Sequence, residues 1–536
     1  MAQYDADQRA VRRLYSAPLD PARWERADRF LADWLARVDA VDFEALDPAS
    51  RVDWLLLRGE LLHQQRALPQ QRGREEEVAP LLPFAPPLVE LCTIRARREP
   101  VDAAAAAGVL ASAVKAVADA RKGFESEKPV VTAALAGRAA ERAEGLRGAL
   151  EDWYEFSAEY DPQFTWWVRQ PWEQLAKSLA EYARFLRETI GGLKPDDADQ
   201  LVGDPIGREA LLEALAHERI PYTPEELVQI AEREHEWCLV ELRKAAADMG
   251  LGQDWHEALE RVKGDFVAPG EQPQLIRRLA EEATRYVTEH DLVTVPPLCA
   301  EAWRMQMMSA ERQKLNPYFT GGEVISISFP TAGMEHEDKL MSLRGNNVHF
   351  CRATVHHELI PGHHLQGFQA DRWRPWRQTF GTAFLVEGWA LYWEMLLWDR
   401  GFFQSPEDRV GALFWRNHRT ARIVFSLNFH LGNWTPQQCV DYLVDEVGHE
   451  RRGAEAEVRR SIQGGYGPLY QCAYMLGGLQ LRSLRGELVE GGGMGEREFH
   501  DAVLRENAIP VELIRAALSG LPLERELPVA WRFYPL

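Results

Sequence analysis

Four histidines stand within TVHHELIPGHHLQ, from Thr354 to Gln366, in a chain that has 15 histidines among its 536 residues. His336 and His349 lie a little upstream. Imidazoles gathered beside carboxylates are the ligands of a zinc ion. In the pattern His-Glu-x-x-His the two histidines share a helix face one turn apart, and the glutamate reaches a water on the metal. His357-Glu358 opens that pattern. Its fifth position, however, is Pro361, and the next histidine is His363.

On an unbroken helix a residue six places on lies roughly 240° around the axis, so His363 would point away from His357. His357 with His364, or His356 with His363, would share a face but stand about 10 Å apart, too far to hold one ion. A metal site therefore requires an irregular turn, and Pro361-Gly362 supplies one: proline removes a helix hydrogen bond and glycine accepts unusual backbone geometry. With those two residues bulged out, His363 takes the place of the missing fifth residue. The third ligand is expected at Glu387, in the otherwise apolar and aromatic run FLVEGWALYWE (Phe384 to Glu394), because a buried carboxylate is costly unless paired or metal-bound. Glu394 is seven residues on, on the same face, and is a candidate partner for a ligand histidine. Zinc held by His357, His363 and Glu387, with Glu358 as general base, is the constellation of metal-assisted hydrolysis.

HELIPGHHLQ (His357 to Gln366) and EGWALYWE (Glu387 to Glu394) resemble the paired HExxPGHHxQ and EGWAxYxE motifs of the bacterial domain-of-unknown-function 885 family. Weaker features continue this resemblance to the C-terminus: Arg422 and His430, Pro468, Tyr474, Gly477, Leu484-Arg485, HDAVL from His500 to Leu504, and Pro510. That family is similar in turn to the helical gluzincin peptidases, such as thimet oligopeptidase. The resemblance implies a zinc peptidase in which the interval from His363 to Glu387 matches the gluzincin spacing. It also implies a late-helix tyrosine over the metal, for which Tyr474 is the first choice, with His430 as a second oxyanion donor. Tyr470 shares the face of Tyr474 and stands where many members have Gln. Arg422 and Arg485 are candidates to hold a substrate carboxylate.

The elements that must position these residues are helical. Ala103–Ala120, Glu141–Leu150 and Trp172–Leu186 carry helical spacing, and Thr223, Pro224 and Glu226 read as a capping box opening another helix. Strand signals are confined to EVISISF (Glu323 to Phe329) and NVHFC (Asn347 to Cys351). The fold class is thus mainly α, a large multi-helix metallopeptidase-like architecture with a small edge sheet next to the metal-binding helix. Leu193–Gly207, rich in Pro, Asp and Gly, divides an N-terminal helical half (1–200), expected to wall a cleft, from a catalytic half (201–536). GGGMG (Gly491 to Gly495) lacks the context of a phosphate loop and reads as a surface turn.

Composition sets the outer bounds. A net charge of −20 argues against nucleic acid as a partner, and, if the acidic excess lines the cleft, favours neutral or cationic peptides. The six cysteines form no short ligand pair and read as reduced core thiols. The apolar stretches Val78–Val89 and Phe384–Trp398 are broken by prolines and by glutamates, so neither reads as a membrane span, and the charged start lacks a secretory pattern. A cytoplasmic enzyme acting on short peptides is the expectation. Hydrolysis of a non-peptide amide or ester, or metal binding without catalysis, are the alternatives. Trp389, Trp393 and Trp398 are expected to wall the buried Glu387.

Overall fold

The computed structural model of the chain describes residues 1–193, 200–313, 318–463 and 466–536. It is mainly α-helical, with one two-stranded parallel sheet. Contacts group the chain into two units: residues 1–42 with 57–204, and residues 43–56 with 205–536. Positions 194–199 of the Pro/Asp-rich divider lie outside the described residues.

The first unit is built on α1 (Ala103–Ser126), α2 (Ala133–Ser157) and α3 (Pro162–Phe185). Each opens on a side-chain cap: Asp102 accepts from the Ala105 amide, Thr132 from Leu135, and Asp161 from Gln163 and Phe164. Alanines 106, 113, 136, 139, 140 and 143 form the buried seams, and their small side chains let the helices approach closely around Leu110, Leu146 and Leu175. Among the described residues, α1 is the helix long and apolar enough to cross a bilayer, with a mean hydropathy of 1.4. It lies outside the apolar stretches Val78–Val89 and Phe384–Trp398 singled out from the sequence. In the structure the Ala106, Leu110, Ala113 and Val117 face of α1 is buried in this unit's core.

In the second unit, α4 (Pro224–Asp248) begins with the expected capping box, Thr223 and Glu226 each receiving the other's amide, and buries Leu227, Ala231, Cys238 and Leu242. After α5 (Gln272–Glu289), β1 (Arg304–Met307) pairs in parallel with β2 (Val324–Ile327), Arg304 opposite Val324. Ile325 and Ile327 pack with Leu275, Ile276 and Leu279 of α5 and with Cys351, Val355 and Leu359. EVISISF is therefore a strand at its centre, laid beside the histidine helix.

NVHFC is not a strand. Its apolar alternation belongs to the first turn of α6 (Val348–Glu358), because the Asn347 side chain accepts from the amides of His349 and Phe350 and starts a helix there. Next come α7 (His363–Ala370), α8 (Ala383–Asp399), α9 (Pro406–His430), α10 (Arg451–Ile462) and α11 (Tyr470–Arg485). α8 and α11 cross at Gly388 and Gly477. A Cβ on Gly477 would fall 1.9 Å from the Phe384 carbonyl oxygen, so this approach excludes any other residue. The crossing lays the first turns of α11 against the Glu387 face of α8. GGGMG forms an exposed turn leading into the helix Glu496–Arg505.

Candidate metal centre

Chain geometry between α6 and α7 determines where the histidines meet. α6 ends at Glu358, Ile360-Pro361 is a cis peptide, and α7 starts at His363. Gly362 donates its amide to the His356 carbonyl (2.9 Å), and a Cβ on it would lie 1.8 Å from the His357 carbonyl oxygen. The glycine thus serves here through its missing side chain, which lets the bulge fold back on α6. Trp389 holds the bulge by donating its indole N–H to the Pro361 carbonyl (2.8 Å). With two residues looped out, the rings of His357 and His363 stand 4.8 Å apart and nearly perpendicular.

Glu387 meets them from α8. Its Oε2 lies 3.2 Å from His363 Nε2 and 3.8 Å from His357 Nε2, and all three donor atoms fall within 4.8 Å of one another. Atoms about 2.1 Å from a tetrahedral zinc are about 3.4 Å apart, so the spacing fits one ion. The chemistry of the donors fits as well. His357 Nδ1 donates to Glu394 Oε1 (2.6 Å), which leaves the Nε2 lone pair facing Glu387, and Glu387 Oε2 has no well-directed hydrogen bond within the protein. Lone pairs turned on one another repel unless a cation or protons lie between them. Burial pulls the His357 pKa down, but Glu387 and Glu394 outweigh it and carry it up to about 9.

The other carboxylate oxygen, Glu387 Oε1, accepts from the Tyr470 hydroxyl. Tyr474 donates to Tyr470 (3.2 Å) and stacks 6.2 Å from the His357 ring. Burial raises the pKa of both tyrosines, so both hydroxyls stay protonated and able to donate. Glu358, the last residue of α6, turns into the same cavity. Gly321 packs on it so tightly that a Cβ there would lie 2.2 Å from Glu358 Oε2, and the Gly322 amide donates to the Glu358 carbonyl (3.2 Å). Burial raises the Glu358 pKa, against the pull of His357 and His363.

These groups share a cavity of about 680 Å³ whose lining runs from Tyr318 to Ala508. Besides His357, Glu358, His363 and Glu387, its charged wall residues are Asp371, Arg419, Arg422 and Arg460. The acidic excess of the chain therefore does not line the cleft, where three arginines balance three carboxylates, so the condition on which net charge would favour cationic peptides is not met.

Other expected residues lie elsewhere. His430, at the end of α9, is buried beside Phe429 and off the cavity wall, roughly two helical turns beyond Arg422. Arg485 is taken up by Glu490 and Glu496, whereas Arg422 reaches the cavity and donates to Glu457 (2.7 Å). His364 donates to the Cys299 carbonyl (2.7 Å) and His356 to the Arg352 carbonyl (3.0 Å), so neither joins the ligand cluster. His349 bridges Asp408 (2.7 Å) and Asp265 (2.9 Å). Trp389 and Trp393 face away from Glu387, being about 200° and 240° around α8 from it, and Trp415 supplies the tryptophan of the wall instead. Arg419, Arg460 and Glu457 escaped the sequence reading. Arg419 gave no signal of the kind Glu387 did, because it stands in the polar run RNHRTAR (Arg416 to Arg422) and its burial comes from the packing of α9.

Residues 11–518 match the family described as "Bacterial protein of unknown function (DUF885)". No curated protein matches the sequence. Among solved structures, the chain is similar to a "putative lipoprotein of unknown function" from Shewanella oneidensis, with a TM-score of 0.72 and 16% identity over 97% of this chain and 98% of that one. A "putative lipoprotein" from Colwellia psychrerythraea follows with a TM-score of 0.59 and 17% identity, covering 93% and 91%. At such identities the likeness is one of fold.

Proposed function

The chain belongs to the DUF885 family, and we propose that it is a zinc-dependent peptidase of gluzincin type that hydrolyses short peptides. One observation carries the reading: His357, His363 and Glu387 converge with donor spacings suited to one ion, in the cavity that also holds Glu358. A bound zinc would lower the pKa of a water toward 7 and polarise the substrate carbonyl. Glu358 accepts the proton of the attacking water and passes it to the leaving amine, a role suited to a buried carboxyl with a raised pKa. Tyr474, protonated and stacked beside His357, donates to the oxyanion as the carbonyl becomes tetrahedral. Tyr470 and Glu394 orient Glu387 and His357. A volume of 680 Å³ lies within the range that encloses ligands of drug size, which supports a substrate of a few residues.

The test is cleavage of a library of short peptides by wild type and Glu358→Gln, with zinc measured in both. Equal zinc with kcat lowered by about 10²- to 10⁴-fold in the variant is expected. Equal cleavage by both proteins rules out the general-base role, and no cleavage of any peptide by zinc-loaded wild type rules out the peptidase.

A further inference from the structure

Three guanidinium groups meet around one aromatic ring on the cavity wall. Arg422 lies 4.5 Å and Arg419 4.7 Å from the centre of the Tyr474 ring, and Arg460 donates to the Tyr474 hydroxyl (3.5 Å). Arg419 and Arg422 are 5% and 3% exposed, too buried for water to solvate their charge. Carboxylates of the protein answer only part of it. Glu457, ionised with its pKa held down to about 2 despite burial, binds Arg422, while Glu394 is engaged by His357 and stands 3.9 Å from Arg419. All three arginines line the cavity, and although Arg419 Nε, Arg422 Nη1 and Arg460 Nε are closed off from its surface, none of these three nitrogens has a hydrogen-bond partner in the protein, so the charge of the cluster is incompletely answered. Buried guanidinium groups with donors to spare are what recognises a carboxylate.

Resting on the peptidase reading above, we infer that Arg419, Arg422 and Arg460 bind the free C-terminal carboxylate of the peptide, so that the enzyme is a C-terminal exopeptidase. The Tyr474 ring joins this cluster to His357, 6.2 Å away. Arg419 stands 4.7 Å from the centre of that ring, and a fully extended chain, at about 3.5 Å per residue, covers the combined gap in about three residues, which sets the scissile bond that close to the bound terminus.

The experiment compares wild type, Arg419→Gln and Arg460→Gln, all zinc-loaded, on short peptides presented as free acids and as C-terminal amides. Arg422 is left intact because its loss would strand Glu457 buried and unpaired. Wild type is expected to prefer the acids by on the order of 100-fold in kcat/KM, mainly through KM, and both variants to compress that ratio to about tenfold or less. Cleavage of acids and amides at equal rates, or a ratio unchanged in both variants, overturns the inference and leaves the peptidase standing. Calorimetry with a tripeptide carrying a reduced, uncleavable bond gives a reading that needs no turnover. Wild type binding the acid at least tenfold tighter than the amide supports the subsite even where no peptide is cleaved, and equal binding overturns it.

Discussion

Among the described residues, the second unit brings together His357 with His363 and His418 with His449, and the first of these pairs has the form of a metal centre. His357 and His363 turn their Nε2 atoms on Glu387, with Glu394 fixing the tautomer of His357. His418 and His449 instead bond to each other, His449 Nε2 to His418 Nδ1 at 2.8 Å, with the Tyr318 hydroxyl 3.4 Å from His449 Nδ1. A carboxylate stands beside each pair, but Glu457 is 4.0 Å from His418 and is committed to Arg422. The surrounding charge also has opposite sign. Carboxylates carry His357 up to about 9, whereas burial, helped by Lys263, Arg422 and Arg419, drives His449 down to about 3 despite the opposing pull of Glu457. The histidine count is alike in the two places, although His363 is half-buried where His418 and His449 are buried. The direction of the lone pairs and the sign of the field separate a cation site from a neutral core contact.

The comparison breaks most sharply at Gly362. Gly362→Ala puts a methyl into the His357 carbonyl and pushes apart the bulge that returns His363, so zinc binding is expected to be lost. Gly367→Ala, where a Cβ meets nothing within 4 Å, should bind zinc as wild type does. Metal titration of the two variants checks this, and zinc retained by Gly362→Ala would show that the bulge does not set the ligand geometry.

A smaller effect is expected from Glu394→Gln, which keeps the shape of the side chain but weakens the acceptor holding His357. Zinc affinity should fall about 10- to 100-fold, as read by competition with a chelator. An unchanged affinity would mean that the His357 tautomer is held by something else.

The neutral pair should be visible in acid. His449 at about 3, His356 and His500 at about 4, and His418 well below its usual value are all depressed, chiefly by burial. Their folded pKa values lie below the unfolded value of about 6.5, so the unfolded chain binds more protons between the two, and stability falls as the pH drops from about 6.5 toward 4. His449 alone contributes on the order of 2 kcal/mol between pH 6.5 and 5. In metal-free protein, His449→Gln should reduce the loss of unfolding free energy between pH 6.5 and 5 by about that much, seen in calorimetry as a shallower fall of Tm with pH. An unchanged slope would mean that His449 takes up its proton in the folded state.

The ligand cluster was legible because its logic is local. The misplaced second histidine demanded a bulge and Pro361-Gly362 offered one, while Glu387 and Glu394 stood out as carboxylates on one face of an apolar helix. Of the arginine cluster only Arg422 and Tyr474 were legible, because Arg419, Arg422, Arg460 and Tyr474 come from three helices whose meeting depends on how α9, α10 and α11 pack. NVHFC misled for a different reason: apolar alternation over five residues is shared by a strand and by a helix's first turn, and the cap at Asn347 decided it. His430 was placed by resemblance alone, and neither its position along α9 nor its burial brings it to the cavity.

The central claim is that His357 and His363 form a metal centre while His418 and His449 are a core contact. Zinc content per chain, measured on wild type, His363→Ala and His449→Gln purified from zinc-supplemented cells, tests it most directly. The account predicts about one zinc in wild type and in His449→Gln, and close to none in His363→Ala. Wild type without zinc, or equal loss in the two variants, would contradict it.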